Sequence, residues 1–256
     1  MKVLLDCTKS IAFDSADYLT PWGTKRDNSR NFRFNEKLYA LYKKTKRLNV
    51  LDLGCSGGGF VRDCLDDGHF SVGLEGSDFS FKTRRAEWRI IPENLFTCDI
   101  TEKFQIKSQI GDTIEQLRFD VITAWEVLEH IPENKLSGLL ENIFTNLMPG
   151  GLFIASVSQS SDIIEGQELH VTRHPADWWI RLFNARGFDY LPQYVKYFNT
   201  QFVRGPKFGA PGSFHVVFGL PGCEYPVIPH EHWFLRCYDR WSNSLPQRII
   251  HKILIG

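Results

Sequence analysis

Along the middle of the chain, short apolar runs alternate with stretches of helical period. The runs are Asn49–Leu53, Phe70–Glu75, Leu95–Ile100, Phe119–Trp125, Leu152–Val157 and Phe214–Leu220, and several are rich in β-branched residues. Between them, Phe60, Val61, Cys64 and Leu65 recur at helical spacing up to a stop at Gly68. A polar, Arg-rich helix is predicted over Phe79–Trp88. Another begins at Pro132, a residue suited to a first turn, and runs to about Leu147 before Pro149-Gly150-Gly151 breaks it. Pro175 opens a further helix that ends near Gly187. It carries Trp178, Trp179, Leu182 and Phe183, and of two adjacent tryptophans at most one can face the sheet. Strands alternating with helices predict an α/β domain with a mainly parallel sheet.

Two stretches stand outside the alternation. Residues 1–47 read as an N-terminal arm or lid, residues 48–220 as the domain, and residues 221–256 as an aromatic tail. That tail holds Trp233, Phe234, Tyr238, Trp241 and a closing apolar run from Ile249 to Ile255. It packs on the domain or forms an interface, which makes a homodimer an open expectation. Residues 103–118 are too long and polar for a minimal connection and read as an inserted hairpin.

Composition narrows the class. With 43% hydrophobic and 23% charged residues in 256, the chain can bury a core without a disulfide or metal scaffold. Thirty basic residues balance thirty acidic ones, so a nucleic-acid partner is not expected. Local clustering qualifies this: residues 24–47 hold nine Lys/Arg against Asp27 and Glu36. That stretch reads either as a solvated helix face or as a surface for phosphate. No apolar run reaches the roughly 18–20 residues of a membrane span. The six cysteines form no C-x-x-C pair, which argues against zinc-ribbon and redox motifs and for a cytoplasmic setting.

The densest chemical signal is Val50-Leu51-Asp52-Leu53-Gly54-Cys55-Ser56-Gly57-Gly58-Gly59-Phe60. A strand ends beside an acid, small residues follow, and a helix begins. Glycines allow positive φ and close approach of the backbone to a ligand, and the helix start offers unpaired N–H groups. That geometry suits a nucleotide or nucleoside cofactor at the carboxyl ends of parallel strands. A dinucleotide-dependent dehydrogenase fits less well, because Ser56 stands at the second glycine position of G-x-G-x-x-G.

Leu-Asp-Leu-Gly-Cys-x-x-Gly resembles motif I of class I S-adenosylmethionine-dependent methyltransferases. The resemblance extends over roughly residues 48–191, with five motifs in register. Val72-Gly73-Leu74-Glu75 is similar to the second strand ending in an acid, and Cys98-Asp99-Ile100 to the adenine-contacting acid. Phe119-Asp120-Val121-Ile122 with Glu126-Val127-Leu128-Glu129-His130-Ile131-Pro132 is similar to the fourth-strand motif, and Leu147-Met148-Pro149-Gly150-Gly151 to the lead into strand five. The resemblance implies a Rossmann-like seven-stranded, mainly parallel sheet with helices on both faces and one antiparallel strand. Ser56 departs from the glycine of many members. A Cys-Ser-x-Gly-Gly arrangement also occurs in ribose methyltransferases acting on RNA, but their Lys-Asp-Lys-Glu catalytic pattern is not evident here.

The resemblance implies S-adenosylmethionine as cofactor and S-adenosylhomocysteine as product. Asp52, Gly54, Cys55, Gly57 and Gly58 would lie at the amino-acid end. Glu75 would accept the ribose hydroxyls, Asp99 the adenine amino group, and Ile100 would pack on the ring. Trp125 and Glu126 complete the cofactor set. A hydroxyl acceptor benefits from a general base, for which His170, after strand five, and His130 are the candidates. His170 and His174 are four apart, but Pro175 starts the helix only after them, so no metal site is predicted. Trp22, Arg26 and Asp27 of the arm are candidate substrate contacts, and a basic arm suits a phosphate-bearing acceptor.

The segment Leu169-His170-Val171-Thr172-Arg173-His174-Pro175-x-x-Trp178-Trp179 resembles methyltransferases associated with bacterial surface-polysaccharide synthesis. The expectation is a methyltransferase acting at oxygen of a small-molecule or saccharide acceptor. The alternatives are an RNA methyltransferase and a non-catalytic subunit that binds S-adenosylmethionine.

Overall fold

The computed structural model describes residues 2–19, 21–43, 46–204 and 212–241. Strand β1 (Lys2–Cys7) precedes the short helices α1 (Ala16–Leu19) and α2 (Trp22–Arg26) and the longer α3 (Phe32–Leu41). The alternation then runs β2 (Asn49–Leu53), α4 (Gly59–Asp66), β3 (Phe70–Glu75), α5 (Phe79–Thr83) and β4 (Leu95–Thr97). A hairpin of β5 (Phe104–Ile110) and β6 (Thr113–Gln116) leads to β7 (Phe119–Trp125), α6 (Leu136–Asn146) and β8 (Leu147–Val157). The two-residue pair β9 (Ile163–Ile164) and β10 (Gln167–Glu168) is followed by α7 (Ala176–Ala185), β11 (Asp189–Tyr190), α8 (Pro192–Phe198), β12 (Phe214–Gly219) and α9 (Trp233–Trp241).

Seven strands form one sheet in the order β11-β12-β8-β7-β2-β3-β4. The pairings from β8 across to β4 are parallel, and β12 runs antiparallel to both of its neighbours. This is the Rossmann-like sheet with a single antiparallel strand. Successive residues of each inner strand feed opposite faces, as the two-residue period of a strand requires. Leu51, Ile122, Phe153 and Phe218 pack on one side with Leu139 and Ile143 of α6 and with Trp179 and Phe183 of α7. Val50, Val121, Leu152 and Val217 pack on the other with Phe34 and Leu38 of α3, Phe60 of α4 and Phe198 of α8. Trp179 is the inward member of its pair, while Trp178 stacks on His174 with ring centroids 3.9 Å apart.

Several boundaries differ from the pattern. The helix expected over Phe79–Trp88 breaks after Thr83, because Arg84 and Ala86 take φ of 49° and 47°, and a 3-10 turn follows over Ala86–Arg89. The strand read as Leu95–Ile100 stops at Thr97, which frees Asp99 and Ile100 to border a cavity. Pro132 precedes a 3-10 turn, Glu133–Lys135, and α6 starts only at Leu136. Pro149-Gly150-Gly151 lies within β8 as a bulge and not as a separate turn: Gly150 takes φ of 75° and the register with β7 shifts across it.

A second, antiparallel sheet joins β1 to the hairpin in the order β1-β5-β6, with Lys2 opposite Gln109 and Cys7 opposite Phe104. Residues 1–47 therefore serve three purposes. β1 completes this small sheet, residues from Ala12 to Asp27 border the cavity, and α3 covers one face of the main sheet. Four of the described basic side chains in this stretch are held in ion pairs. Arg30 pairs with Asp63 at 2.7 Å and also with Glu87, and Lys46 pairs with Asp120 at 2.6 Å. Lys37, 1% exposed, meets Glu231 at 2.6 Å and Asp239 at 3.2 Å, and Arg33 holds the other Asp239 oxygen at 2.8 Å. Asp239 docks α9 onto α3, while Trp233, Phe234, Tyr238 and Trp241 remain exposed. The run Ile249–Ile255 lies outside the described residues.

Removing one partner of a buried ion pair leaves a desolvated charge, at about 3–5 kcal/mol, whereas removing both can be nearly neutral. Asp239→Ala should lower the urea unfolding free energy by about 3 kcal/mol. Lys37→Met combined with Asp239→Ala should recover part of that loss. A double variant no more stable than Asp239→Ala alone would contradict the assignment.

Candidate active site

A cavity of about 480 Å³ opens at the carboxyl ends of the parallel strands. Its wall includes Gly54 after β2, Glu75 at the end of β3, Trp125 at the end of β7 and Ser160 after β8. This is where open α/β sheets bind ligands, because the loops diverge there.

The turn after β2 is built by two backbone requirements. Gly54 has φ of 70°, and a Cβ there would lie 2.4 Å from Val127. Gly58 has φ of 84° and caps α4. Ser56 occupies the left-handed region at φ of 47° without being glycine. Its hydrogen bonds hold it there: Oγ donates to the Asp27 carbonyl at 2.9 Å, N–H donates to Glu75 Oε2 at 2.7 Å, and its carbonyl accepts from Trp88 Nε1 at 2.8 Å. The departure from glycine at this position thus fastens the N-terminal arm to the loop.

Five of the expected contacts sit behind the cavity wall and not on it. Asp52 points under the sheet end, where Thr123 Oγ1 donates to it at 2.6 Å. Cys55 packs with Val61, Trp88 and Leu95. Gly57 lies beneath Asn28 and Arg85, and Gly58 against Leu95. Arg26 turns its guanidinium over the Trp22 ring, 3.3 Å from the centroid. Gly54, Glu75, Asp99, Ile100, Trp125, Glu126, Trp22 and Asp27 all border the cavity.

Glu75 is buried, and its carboxylate accepts from Ser56 N–H, from Ser77 N–H at 3.1 Å and from Thr24 Oγ1 at 3.3 Å. Burial is the largest influence and raises its pKa. Asp99 accepts Thr101 N–H and Oγ1 on one oxygen and meets Lys9 Nζ at 2.9 Å on the other. Burial opposes ionisation of Asp99, but Thr101 and Lys9 outweigh it and hold the group below the usual carboxylate range.

The two candidate histidines come together, with ring centroids 4.6 Å apart and planes at 86°. His170 places Nδ1 2.6 Å from the Ser160 carbonyl, which fixes Nδ1 as the donor and leaves the Nε2 lone pair available. Burial and the neighbouring His130 charge lower the His170 pKa. His130 places Nδ1 3.1 Å from the Leu169 carbonyl and 2.8 Å from Asp17 Oδ2. Burial alone would lower its pKa, yet the Asp17 carboxylate prevails and raises it to about 9. His174 is elsewhere, 2.7 Å from Glu133.

Sequence reasoning missed Thr24, Lys135, Asp162 and Arg204, which also line the cavity. Arg204 bridges Glu126 at 2.7 Å and Asp27 at 3.0 Å, so it clasps the fourth-strand motif to the arm. None of these residues sits in a local motif. Ser56 alone carried a signal, as the odd residue in a glycine loop.

The Methyltransferase domain family matches residues 25–196, and the chain belongs to that family. It is an S-adenosylmethionine-dependent methyltransferase, whose product from the cofactor is S-adenosylhomocysteine. No curated protein matches it in sequence. Among solved structures, it is similar to a protein of Pyrococcus horikoshii OT3 at 19% identity, over 80% of this chain and 98% of that one, with a TM-score of 0.51. It is similar to the 1,6-didemethyltoxoflavin-N1-methyltransferase of Burkholderia thailandensis at 18% identity, over 80% and 84%, with a TM-score of 0.51. A magnesium protoporphyrin IX methyltransferase of Synechocystis PCC 6803 is similar at 14% identity, over 81% and 96%, with a TM-score of 0.50. These likenesses carry the fold. No helix among the described residues is long and apolar enough to cross a membrane.

Burial raises the Asp52 pKa to about 8, against about 4 in an unfolded chain. The folded state therefore holds a proton that the unfolded state releases. The stability this contributes is complete below about pH 4 and lost as pH rises through about 8. Asp52→Asn keeps an acceptor for Thr123 and removes the titration. Its melting temperature relative to wild type should climb by several degrees between pH 4.5 and pH 8.5. Parallel curves over that range would show that Asp52 ionises normally.

Proposed function

We propose that the enzyme methylates a hydroxyl oxygen of a small-molecule or saccharide acceptor, held at the His130–His170 end of the cavity. The observation that carries this reading is the pair of imidazoles on the cavity wall: His170 donates Nδ1–H to the Ser160 carbonyl, which leaves its Nε2 lone pair free to accept a proton, and Asp17 keeps His130 charged beside it. Glu75, Asp99 and Ile100 form a separate polar stretch that suits a ribose and adenine. The ribose diol would take the place of Thr24, whose 3.3 Å bond is the longest that Glu75 accepts.

Transfer needs the acceptor oxygen in line with the S–CH3 bond, and proximity supplies several kcal/mol, up to about 10. The O–C bond forms as the C–S bond breaks. The sulfur keeps the electron pair, and the hydroxyl proton passes to Nε2 of His170, whose Nδ1–H is held by the Ser160 carbonyl. Structural relatives named as methyltransferases of magnesium protoporphyrin IX and of 1,6-didemethyltoxoflavin support an acceptor of small-molecule size. The resemblance of the 169–179 segment supports a saccharide of a surface-polysaccharide pathway. Leu169 and His170 of that segment border the cavity. An RNA acceptor gains no support from the basic stretch, since Arg30, Arg33, Lys37 and Lys46 are held by acids. A phosphate-bearing acceptor would have to draw on Arg204 or Lys135, both of which have acid partners within the cavity wall. The homodimer expected from the aromatic tail would bury the exposed rings of α9. Six free cysteines accord with a reducing, cytoplasmic setting.

Glu75→Gln and Asp99→Asn should each weaken S-adenosylmethionine binding by about 1–3 kcal/mol, roughly ten- to a hundred-fold in the dissociation constant. Calorimetry returning wild-type affinity for both variants would move the cofactor to another site.

His170→Ala should cut turnover on a hydroxylated acceptor by roughly 100-fold or more while cofactor affinity holds. Equal turnover by the variant, or cofactor binding with no transfer to any hydroxylated acceptor in a broad panel, would count against O-methylation. The second result would favour the non-catalytic reading.

A further inference from the structure

Three side chains meet beside the acceptor end in a way that methyl transfer alone does not require. Glu129, His130 and His170 each offer one ligand atom, and the three atoms lie within 4.8 Å of one another. Two ligands on one transition-metal ion span at most about 4.2 Å, since each bond is about 2.1 Å.

The hydrogen-bond pattern is that of metal ligands, and a bound cation would displace the proton that Asp17 stabilises on His130. A ligating histidine usually donates its second ring N–H to a carbonyl or carboxylate, which fixes the tautomer and aims the free nitrogen. Both histidines here are so held, His170 by the Ser160 carbonyl and His130 by the Leu169 carbonyl and Asp17. The third group supplies independent evidence. Glu129 is fully buried, one carboxylate oxygen accepts the Ser158 N–H at 2.7 Å, and the other, Oε2, is buried with no hydrogen-bond partner. An unpartnered buried carboxylate oxygen is costly unless something charged meets it. Two imidazoles at close range explain its position, and a cation between the three would satisfy it. Asp162, whose carboxylate lies 4.0 Å from His170 Nε2, offers a further oxygen at the cavity rim.

We propose that Glu129, His130 and His170 bind one divalent first-row transition-metal ion, with its open positions facing the cavity. Two imidazoles and a carboxylate suit manganese, iron or zinc better than calcium or magnesium, which take mainly oxygen ligands. The local spacing of His170 and His174 pointed away from a metal. The partner of His170 is instead His130, forty residues earlier, brought close by the chain returning past the end of β7. The inference rests on the O-methylation reading for its purpose: the ion would grip the acceptor hydroxyl and acidify it, and the Asp162 carboxylate at the rim would take the proton in place of His170, whose Nε2 the ion occupies.

The test is binding of manganese(II) to chelator-stripped protein, followed by electron paramagnetic resonance, with His170→Gln and Glu129→Gln alongside and melting temperatures recorded for all three. One manganese per chain, imidazole nitrogen couplings in the spin-echo spectrum, and affinity at least ten-fold weaker in both variants at unchanged melting temperature are expected. If Glu129→Gln unfolds, His170→Gln and the nitrogen couplings decide. Manganese that stays free, or binds without nitrogen coupling, or binds equally to wild type and His170→Gln, overturns the proposal. Failure of the two readings can be told apart. Full O-methylation by protein shown metal-free by mass spectrometry sinks the metal site and spares the acceptor. Nitrogen-coupled manganese in a protein that methylates no hydroxyl leaves the metal site standing and sinks the acceptor.

Discussion

The buried carboxylate of Glu75 is the point on which the cavity depends. It stands at the end of β3, accepts the N–H of Ser56 from the glycine turn and the N–H of Ser77 from its own following loop, and reaches Thr24 of α2. One side chain thereby fixes the loop that follows β2, the turn after β3 and the arm above them. A carboxylate can do this because its two oxygens offer about four acceptor sites, and charge-assisted bonds are about twice as strong as neutral ones. The same property makes it suited to a diol, since the arm's hydroxyl can be exchanged for a ligand's without leaving an orphaned group.

Around this hub the sheet was legible from the sequence and the arm was not. The inner strands β2, β3 and β7 have the bounds that their apolar runs suggest, because a strand buried on both faces must be apolar throughout. β1 escaped notice because its partner, β5, lies about a hundred residues away and no local pattern records that pairing. α8 and β11 are short, and tertiary contact with β12 defines them. The break after Thr83 rests on two left-handed residues, Arg84 and Ala86, that composition does not flag.

The site divides along the same line. Glu75, Asp99, Gly54 and Glu126 follow strand ends, so a motif read in one dimension finds them. Arg204, Asp162 and Thr24 come from loops or the arm, and only folding brings them to the wall. Glu129 shows a different limit. It lies inside a recognisable motif, yet only burial and an unpartnered oxygen distinguish it from a residue that merely packs. Charge patterning left two readings of the basic stretch open, and folding gives part of it a third role: Arg30, Arg33, Lys37 and Lys46 are counter-ions for Asp63, Glu87, Asp120, Glu231 and Asp239.

The pairing of Lys37 with Glu231 and Asp239 links positions about two hundred residues apart, and it bears on how the molecule is made. During synthesis α3 emerges early, but the acids that neutralise its buried lysine are among the last described residues to leave the ribosome. Until then α3 cannot seat Lys37 against the sheet without stranding a charge, so the face built from Phe34 and Leu38 stays provisional while the rest of the sheet assembles. Final closure of that face thus waits until α9 has been made, and a chain lacking Glu231 and α9 would leave Lys37 without two of its acids.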